Sequence, residues 1–430
     1  MTAEPERVLV PVCSLECRRC AEAVARTPGG VPLVICGPPK WAGDARPNSR
    51  EVGPDEASRT HSTEKEAGMN PGDRIESDVR AIALPRGRRV GQPGHDVARE
   101  YLRGRLEEIG LEPFWGDSFE LPFERPHPLT GTRTEFTNLI GVVPGSKRDL
   151  PPVLVGAHYD SVIDAPCADD NATSVAVALA AAESFVAEPL ERRVVIALFD
   201  SEEPPYFHEP GTMGSTRFYE DHCEGVSFAC ALIMDLISHD VELGFVQAGS
   251  LPQEAEDRIR KLLFVTGAES GPHLSPAVET AAARVGELNV VPTLNSYVGD
   301  MSDQRAFRLG GEPYLFLSCG QGRYYHHELD SLTTPGWINF EKTRRVHELV
   351  VELLREVDSR PDDGDGPESG ATPGPKLPDP IDTTEFEIRR LEAAFGPLLP
   401  AILRQVGLTE LRTREDIDRI AAALRGTLLR

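Results

Sequence analysis

The chain lacks the marks of several protein classes. Nowhere in its 430 residues do about 18 apolar residues run together, the length a helix needs to cross a bilayer, so no transmembrane helix and no membrane partner are expected. The opening stretch, MTAEPERVLVPVCSLECRRC, has neither a basic start nor the roughly 7–15 apolar residues of an export signal, which predicts a cytoplasmic protein. Cysteine is scarce, 8 in all, too few for a disulfide scaffold at this size. Four of them, Cys13, Cys17, Cys20 and Cys36, include one C-x-x-C, but the second pair of a zinc knuckle is missing and ordinary reduced thiols are the simpler reading. Positive charge is also short: 45 basic residues face 69 acidic ones, for a net −24. That balance repels phosphate backbones and argues against nucleic acid as a partner, but as a solvated surface it identifies no substrate.

What is present is enough apolar residue, 40%, for a large core. Residues 1–74 read as an N-terminal extension, with a polar Gly- and Pro-rich linker from Trp41 to Arg74. A main domain is expected over 75–357. It opens on HDVAREYLRGRLEEIG, a helix with Val97, Tyr101, Leu102, Leu106 and Ile109 on one face and Gly110 as its stop. Five apolar runs follow: FTNLIGVV, PVLVGAH, RVVIALFD, CALIMDLI and PYLFLSCG, with the Ala-rich ATSVAVALAAAESFVAE between the second and third. Strands alternating with helices predict an α/β protein, a three-layer α/β/α sandwich around a mostly parallel mixed sheet. Residues 358–380 read as a flexible acidic linker and 381–430 as a helical C-terminal module. In that module Ile417, Ile420, Leu424 and Leu428 share a face, and Thr413 with Asp416 resembles a capping box.

Four of the strand-like runs lead into a polar residue of metal-binding type. PVLVGAH ends at His158, with Asp160 two residues on; RVVIALFD leads to Glu202 and Glu203; CALIMD ends at Asp235; PYLFLSCG precedes His326 and His327. Asp170 lies in CADDNATS, just before the Ala-rich helix. Ligands of open α/β sheets gather beyond the carboxyl ends of the strands, so these residues are expected in one crevice. Imidazoles and carboxylates without a thiolate suit catalytic zinc, and a shared carboxylate is what two neighbouring cations need. Asp160 is placed to fix the tautomer of His158. Of the adjacent glutamates, one is expected to bind metal and the other to act as general base, since neighbours on an extended backbone point apart.

The ordered set AHYDSV, CADDNATS, FDSEE with MGS, IMDLI and YHHELDSL resembles the two-zinc aminopeptidases, a family that includes bacterial leucyl aminopeptidases, aminopeptidase Y, glutamate carboxypeptidase and glutaminyl cyclases. TNLIGVVPG and SDQRAF…GGEPY extend the resemblance over about residues 75–355. It implies His158 and Asp235 on one zinc, Glu203 and His326 on the other, and Asp170 bridging them, with Co²⁺ or Mn²⁺ as substitutes. It further implies Glu202 as general base, Asp160 orienting His158, Asp330 in support, and Asp303 near the site. The expected reaction is hydrolysis of an N-terminal peptide bond by activated water. Carboxypeptidase or dipeptidase action, glutaminyl cyclisation, and a non-catalytic metal-binding relative are the alternatives. Pro204 to Met213 is longer than the family's usual link and is a candidate wall of the substrate pocket; the C-terminal helices are candidates for self-association.

Overall fold

The computed structural model describes residues 24–26, 32–34, 70–243, 251–360 and 379–428. The N-terminal cysteines and most of the two expected linkers lie outside them. The chain divides into two compact units, 1–64 and 65–430. In the first, β1 (Val24–Arg26) pairs antiparallel with β2 (Pro32–Val34). The second holds a mixed nine-stranded sheet: β3 (Glu112–Pro113), β4 (Glu120–Pro126), β5 (Arg133–Val143), β6 (Val153–His158), β7 (Val194–Phe199), β8 (Cys230–Met234), β9 (Leu262–Thr266), β10 (Asn289–Thr293) and β11 (Tyr314–Ser318). Its order is β10-β9-β11-β8-β6-β7-β5-β3, with β4 on β5. The central strands β11, β8, β6 and β7 run parallel, so their carboxyl ends open on one edge. The flanking pairings β11–β9 and β5–β7 are antiparallel.

The helices are α1 (Pro71–Ile82), α2 (Pro93–Ile109), α3 (Thr173–Ala187), α4 (Gly214–His222), α5 (Gln253–Arg260), α6 (Leu274–Val285), α7 (Asn295–Val298), α8 (Gln304–Gly310), α9 (Phe340–Asp358), α10 (Thr384–Phe395), α11 (Leu399–Gln405) and α12 (Arg414–Leu428). They cover both faces, as the strand sequences require. On β6 and β7, Val153, Val155, Val194, Ile196 and Leu198 face the layer of α1, α2, α3, α6 and α9. The alternate residues Leu154, Val195, Ala197 and Phe199 face α4 and α8. Both surfaces of these strands are thus buried, which explains their near-continuous apolar runs. The Ala-rich α3 is buried around most of its circumference, and its small side chains allow that close packing. In the C-terminal segment, Thr413 and Asp416 form a reciprocal cap: Asp416 N–H donates to Thr413 Oγ1 (3.3 Å), and Thr413 N–H donates to the Asp416 carboxylate (3.0 Å). Ile417, Ile420 and Leu424 then bury into the same core as the sheet, so this face is covered within the chain.

One helix face departs in part from the expected one. In α2 the buried residues are His95, Ala98, Leu102, Arg105 and Leu106, while Val97 is 54% exposed. Only Val97 leaves the expected stripe: Leu102 and Leu106 are buried, Tyr101 and Ile109 pack on the core, and a buried ion pair adds to the docking. Arg105 Nε donates to Asp78 of α1 (2.9 Å) and its two Nη atoms to Glu108 and Glu183 (2.6 and 2.5 Å), joining α1, α2 and α3. Tyr101 also donates to Asp78 (2.6 Å). Burial raises the Asp78 carboxyl pKa, and Arg105 offsets part of that push.

Arg105→Ala is therefore expected to destabilise the protein by about 3 kcal/mol, because it strands a buried carboxylate. Without Arg105 the folded-state pKa of Asp78 rises further above its unfolded value. The deficit should then be smaller at pH 5 than at pH 8, as urea unfolding at the two pH values would show.

Candidate metal centre

The parallel strands deliver the residues singled out from the sequence to one place. His158 closes β6, Glu202 and Glu203 follow β7, Asp235 follows β8, and the loop after β11 carries His326. Asp170 comes from the turn Ala168–Ala172, where it (φ −112°, ψ 79°) and Asn171 leave helical geometry. The Asn171 side-chain amide donates to the Met234 carbonyl (2.9 Å) and pins that turn to the end of β8. Cys167, Ser201, Leu236 and His326 all hold positive φ between 44° and 55°, a region L-residues rarely occupy, and each is a ligand candidate or within three residues of one. Backbone strain is concentrated where the side chains must be turned inward.

The donor atoms fall into two groups around Asp170. His158 Nε2 lies 3.5 Å from Asp170 Oδ1 and 3.6 Å from Asp235 Oδ1. His326 Nε2 lies 3.5 Å from Asp170 Oδ2 and 3.2 Å from Glu203 Oε2. His158, Asp170 and Glu203 offer atoms all within 4.8 Å of one another. Glu202 Oε2 is 3.8 Å from His158 Nε2. The His326 side chain is 27% exposed and His158 only 1%, so the crevice opens to solvent on the His326 side.

Around these atoms, other carboxylates grip the backbone of the ligand segments. Asp160 accepts the N–H groups of both Glu202 and Glu203 (3.1 Å each) and stands 3.3 Å from His158 Nδ1. Asp330 accepts the N–H groups of Asp169 and Asp170 (2.8 and 3.0 Å) and the Trp337 indole (2.7 Å); it acts on the turn, not on His326. Asp169 receives Ser238 N–H (2.8 Å) and lies 2.6 Å from His239 Nδ1. Asp200 takes Ser201 N–H (2.8 Å) and Thr137 N–H (2.7 Å) and lies 2.9 Å from His95 Nε2. Gly214 sits where a Cβ would be 2.4 Å from the Asp200 carbonyl oxygen and 2.2 Å from Asn138 Oδ1, so only glycine fits.

Arg88, missed in the sequence, is wholly buried beneath the turn. It donates to the carbonyls of Tyr159 (2.7 Å), Ile82 (3.0 Å), Pro166 (2.8 Å) and Cys167 (3.0 Å). Among the three arginines of PRGRRVGQ no spacing signal could have marked it. Asp303 is buried near the site, with both carboxyl oxygens lacking a hydrogen-bond partner. Burial pushes its pKa up to about 7.

This crevice holds too much like charge for its dryness. Burial raises the pKa of Glu202 and Glu203 well above the usual carboxylate range; His158 opposes the rise, and neighbouring carboxylates add to it. Burial also opposes ionisation of Asp170, but His158, His326 and Arg88 outweigh it and hold its pKa low. His158 Nε2, Asp170 Oδ2, Glu203 Oε1, Asp235 Oδ1 and His326 Nε2 have no hydrogen-bond partner. Buried polar atoms without partners are costly, and divalent cations would satisfy these atoms and reverse the charge imbalance. The donor set, imidazole and carboxylate without thiolate, fits zinc.

The Pro204–Met213 loop does not line the pocket beside this centre. Ser201 Oγ donates to the Thr212 carbonyl (2.6 Å), Thr212 Oγ1 to the Tyr206 carbonyl (2.7 Å), and the Tyr206 ring packs edge-on against Phe136 of β5. The pocket instead lies between Asp235 and residues of β9, β11 and α7.

Residues 138–353, half of the chain, match Peptidase family M28. The chain belongs to that family. It is a metal-dependent peptidase with a zinc-type site. Its fold resembles a Zn-dependent exopeptidase from Parabacteroides distasonis (TM-score 0.52, 17% identity, 67% of this chain and 98% of that one). It also resembles a leucine aminopeptidase precursor from Bacteroides thetaiotaomicron (0.51, 18%, 66% and 96%). A glutaminyl cyclase from Porphyromonas gingivalis matches similarly (0.51, 19%, 66% and 98%). Among curated sequences, a vacuolar membrane protease of Candida dubliniensis is 28% identical over 132 residues, 30% of this chain and 14% of that protein. No helix among the described residues is long and apolar enough to cross a membrane.

Exhaustive chelation should lower the melting temperature of this peptidase by on the order of 5 °C, with recovery on adding Zn²⁺, as calorimetry would show. Asp170→Asn should lose most of the bound zinc by elemental analysis, since it removes the carboxylate charge shared by the two donor groups.

Proposed function

We propose that this M28 peptidase is an aminopeptidase that uses a dinuclear zinc centre, with His158 and Asp235 holding one ion, Glu203 and His326 the other, and Asp170 bridging. The observation that carries the reading is the division of Asp170 between two imidazoles: one carboxylate oxygen turns to His158 and the other to His326. Zinc bound there would lower the pKa of water and polarise the scissile carbonyl.

Glu202 is the general base. Its carboxylate stands beside His158 without belonging to either donor group, and its backbone is fixed by Asp160. It takes a proton from the attacking water and returns it to the leaving amine. Asp160 also braces His158, and Asp330 holds the Asp170 turn, so the donors keep their geometry through the cycle. Glutaminyl cyclisation is the competing activity on this fold. The placement of His158 with Asp235 favours the peptidase, because together they supply a second set of donors beyond Asp170, Glu203 and His326.

Glu202→Gln should keep its zinc near the wild-type level while hydrolysis of aminoacyl arylamides falls by about 10³-fold or more. Equal turnover in the two proteins would remove Glu202 from the base role. Release of pyroglutamyl product from N-terminal glutamine, with no cleavage of arylamides or dipeptides, would favour the cyclase.

A further inference from the structure

The family match ends at residue 353, yet the helices beyond it contact α7, whose Val298 lines the pocket beside the metal centre. That pocket encloses about 420 Å³ including its opening to solvent. Leu236, Phe264, Val298, Met301, Phe316 and Tyr325 line it, and Asp235 is the one charged residue in its lining. An anionic substrate side chain would lose its hydration there and gain no counter-ion, whereas an apolar one would be favoured.

The Val298 wall belongs to α7, a single turn of four residues that cannot hold itself in place. Its supports are tertiary. Glu269 Oε1 accepts Asn295 N–H (2.8 Å), and the Glu269 carbonyl accepts Ile381 N–H (2.9 Å) from the segment leading into α10. The Tyr297 hydroxyl donates to Asp418 of α12. Arg414, also of α12, reaches the Tyr297 oxygen (3.5 Å) while pairing with the buried Glu387 of α10 (2.7 Å). Val298 shares one apolar core with Phe386 and Leu391 of α10 and Ile417 and Ile420 of α12.

We propose that the C-terminal helices α10–α12 are a specificity element: by clamping Tyr297 they set the Val298 wall and fit the pocket to an apolar substrate side chain. This rests on the peptidase reading and deepens it. None of the clamp residues Tyr297, Asp418 and Arg414 is a candidate metal ligand, so loosening it should change substrate preference more than zinc binding.

The test uses the zinc-loaded full chain. Val298→Phe should cut kcat/KM for a leucyl arylamide by about tenfold or more, with the alanyl arylamide changed less than threefold. Tyr297→Phe and Asp418→Ala should shift the same ratio in the same direction, mainly through KM, with zinc content unchanged. Both should also speed amide exchange in 295–301. If the clamp variants keep both the wild-type selectivity and the wild-type exchange, the proposal is overturned, as it is if Val298→Phe slows all substrates alike. Failure of the peptidase reading looks different: the wild type itself cleaves no arylamide in a chelator-sensitive way. In that case exchange in 295–301 and calorimetric binding of free L-leucine against L-aspartate decide: a wild-type exchange rate in Tyr297→Phe or no preference for leucine overturns the proposal, and the opposite pair of results supports it.

Discussion

The structure turns on an electrostatic constraint: several carboxylates must share a crevice almost without water. Such a cluster cannot hold together by its own side-chain contacts, because its members repel and burial penalises their charge. The protein responds by separating the carboxylates that face the centre from those that position them. Asp160, Asp169, Asp200 and Asp330 spend their oxygens largely on backbone N–H groups of the strand-end turns. The inner set is then left with oxygen and nitrogen atoms uncommitted. A rigid frame built from neutral backbone donors lets the inner side chains stay unpaired, as metal binding requires.

The parallel sheet makes this frame available. Four neighbouring strands ending on one edge bring residues from His158 to His326 within a few ångströms, though they lie far apart in sequence. Positive-φ positions beside the candidate ligands turn side chains from the strand direction into the crevice. The Pro204–Met213 insertion is tied back on Ser201 and Phe136 and so holds the segment just after the glutamates.

The central strands were legible in sequence because burial on both faces left uninterrupted apolar runs, each finishing on a polar residue. The clustering of the candidate ligands followed from that pattern and a rule of α/β sheets. Other features escaped that reading. β9 and β10 were not among the strands read, although β8 and β11 are no longer than they are. The core position of Arg105 in α2 was not legible, because hydrophobic periodicity counts arginine as exposed. Arg88 and the backbone-gripping role of Asp330 depend on loop conformations that no residue spacing encodes. The Val298 wall of the pocket was not legible either, because it comes from α7, nearly a hundred residues beyond Glu203.

Arg88 has a bearing on where this enzyme begins. It lies fifty residues ahead of the segment that matches the family, yet it is the buried cation under the Asp170 turn and joins that turn to the end of α1. A recombinant fragment cut at the family boundary would retain every candidate ligand and lose the keystone below them. The unit that holds the active centre in place is therefore larger than the segment that matches the family.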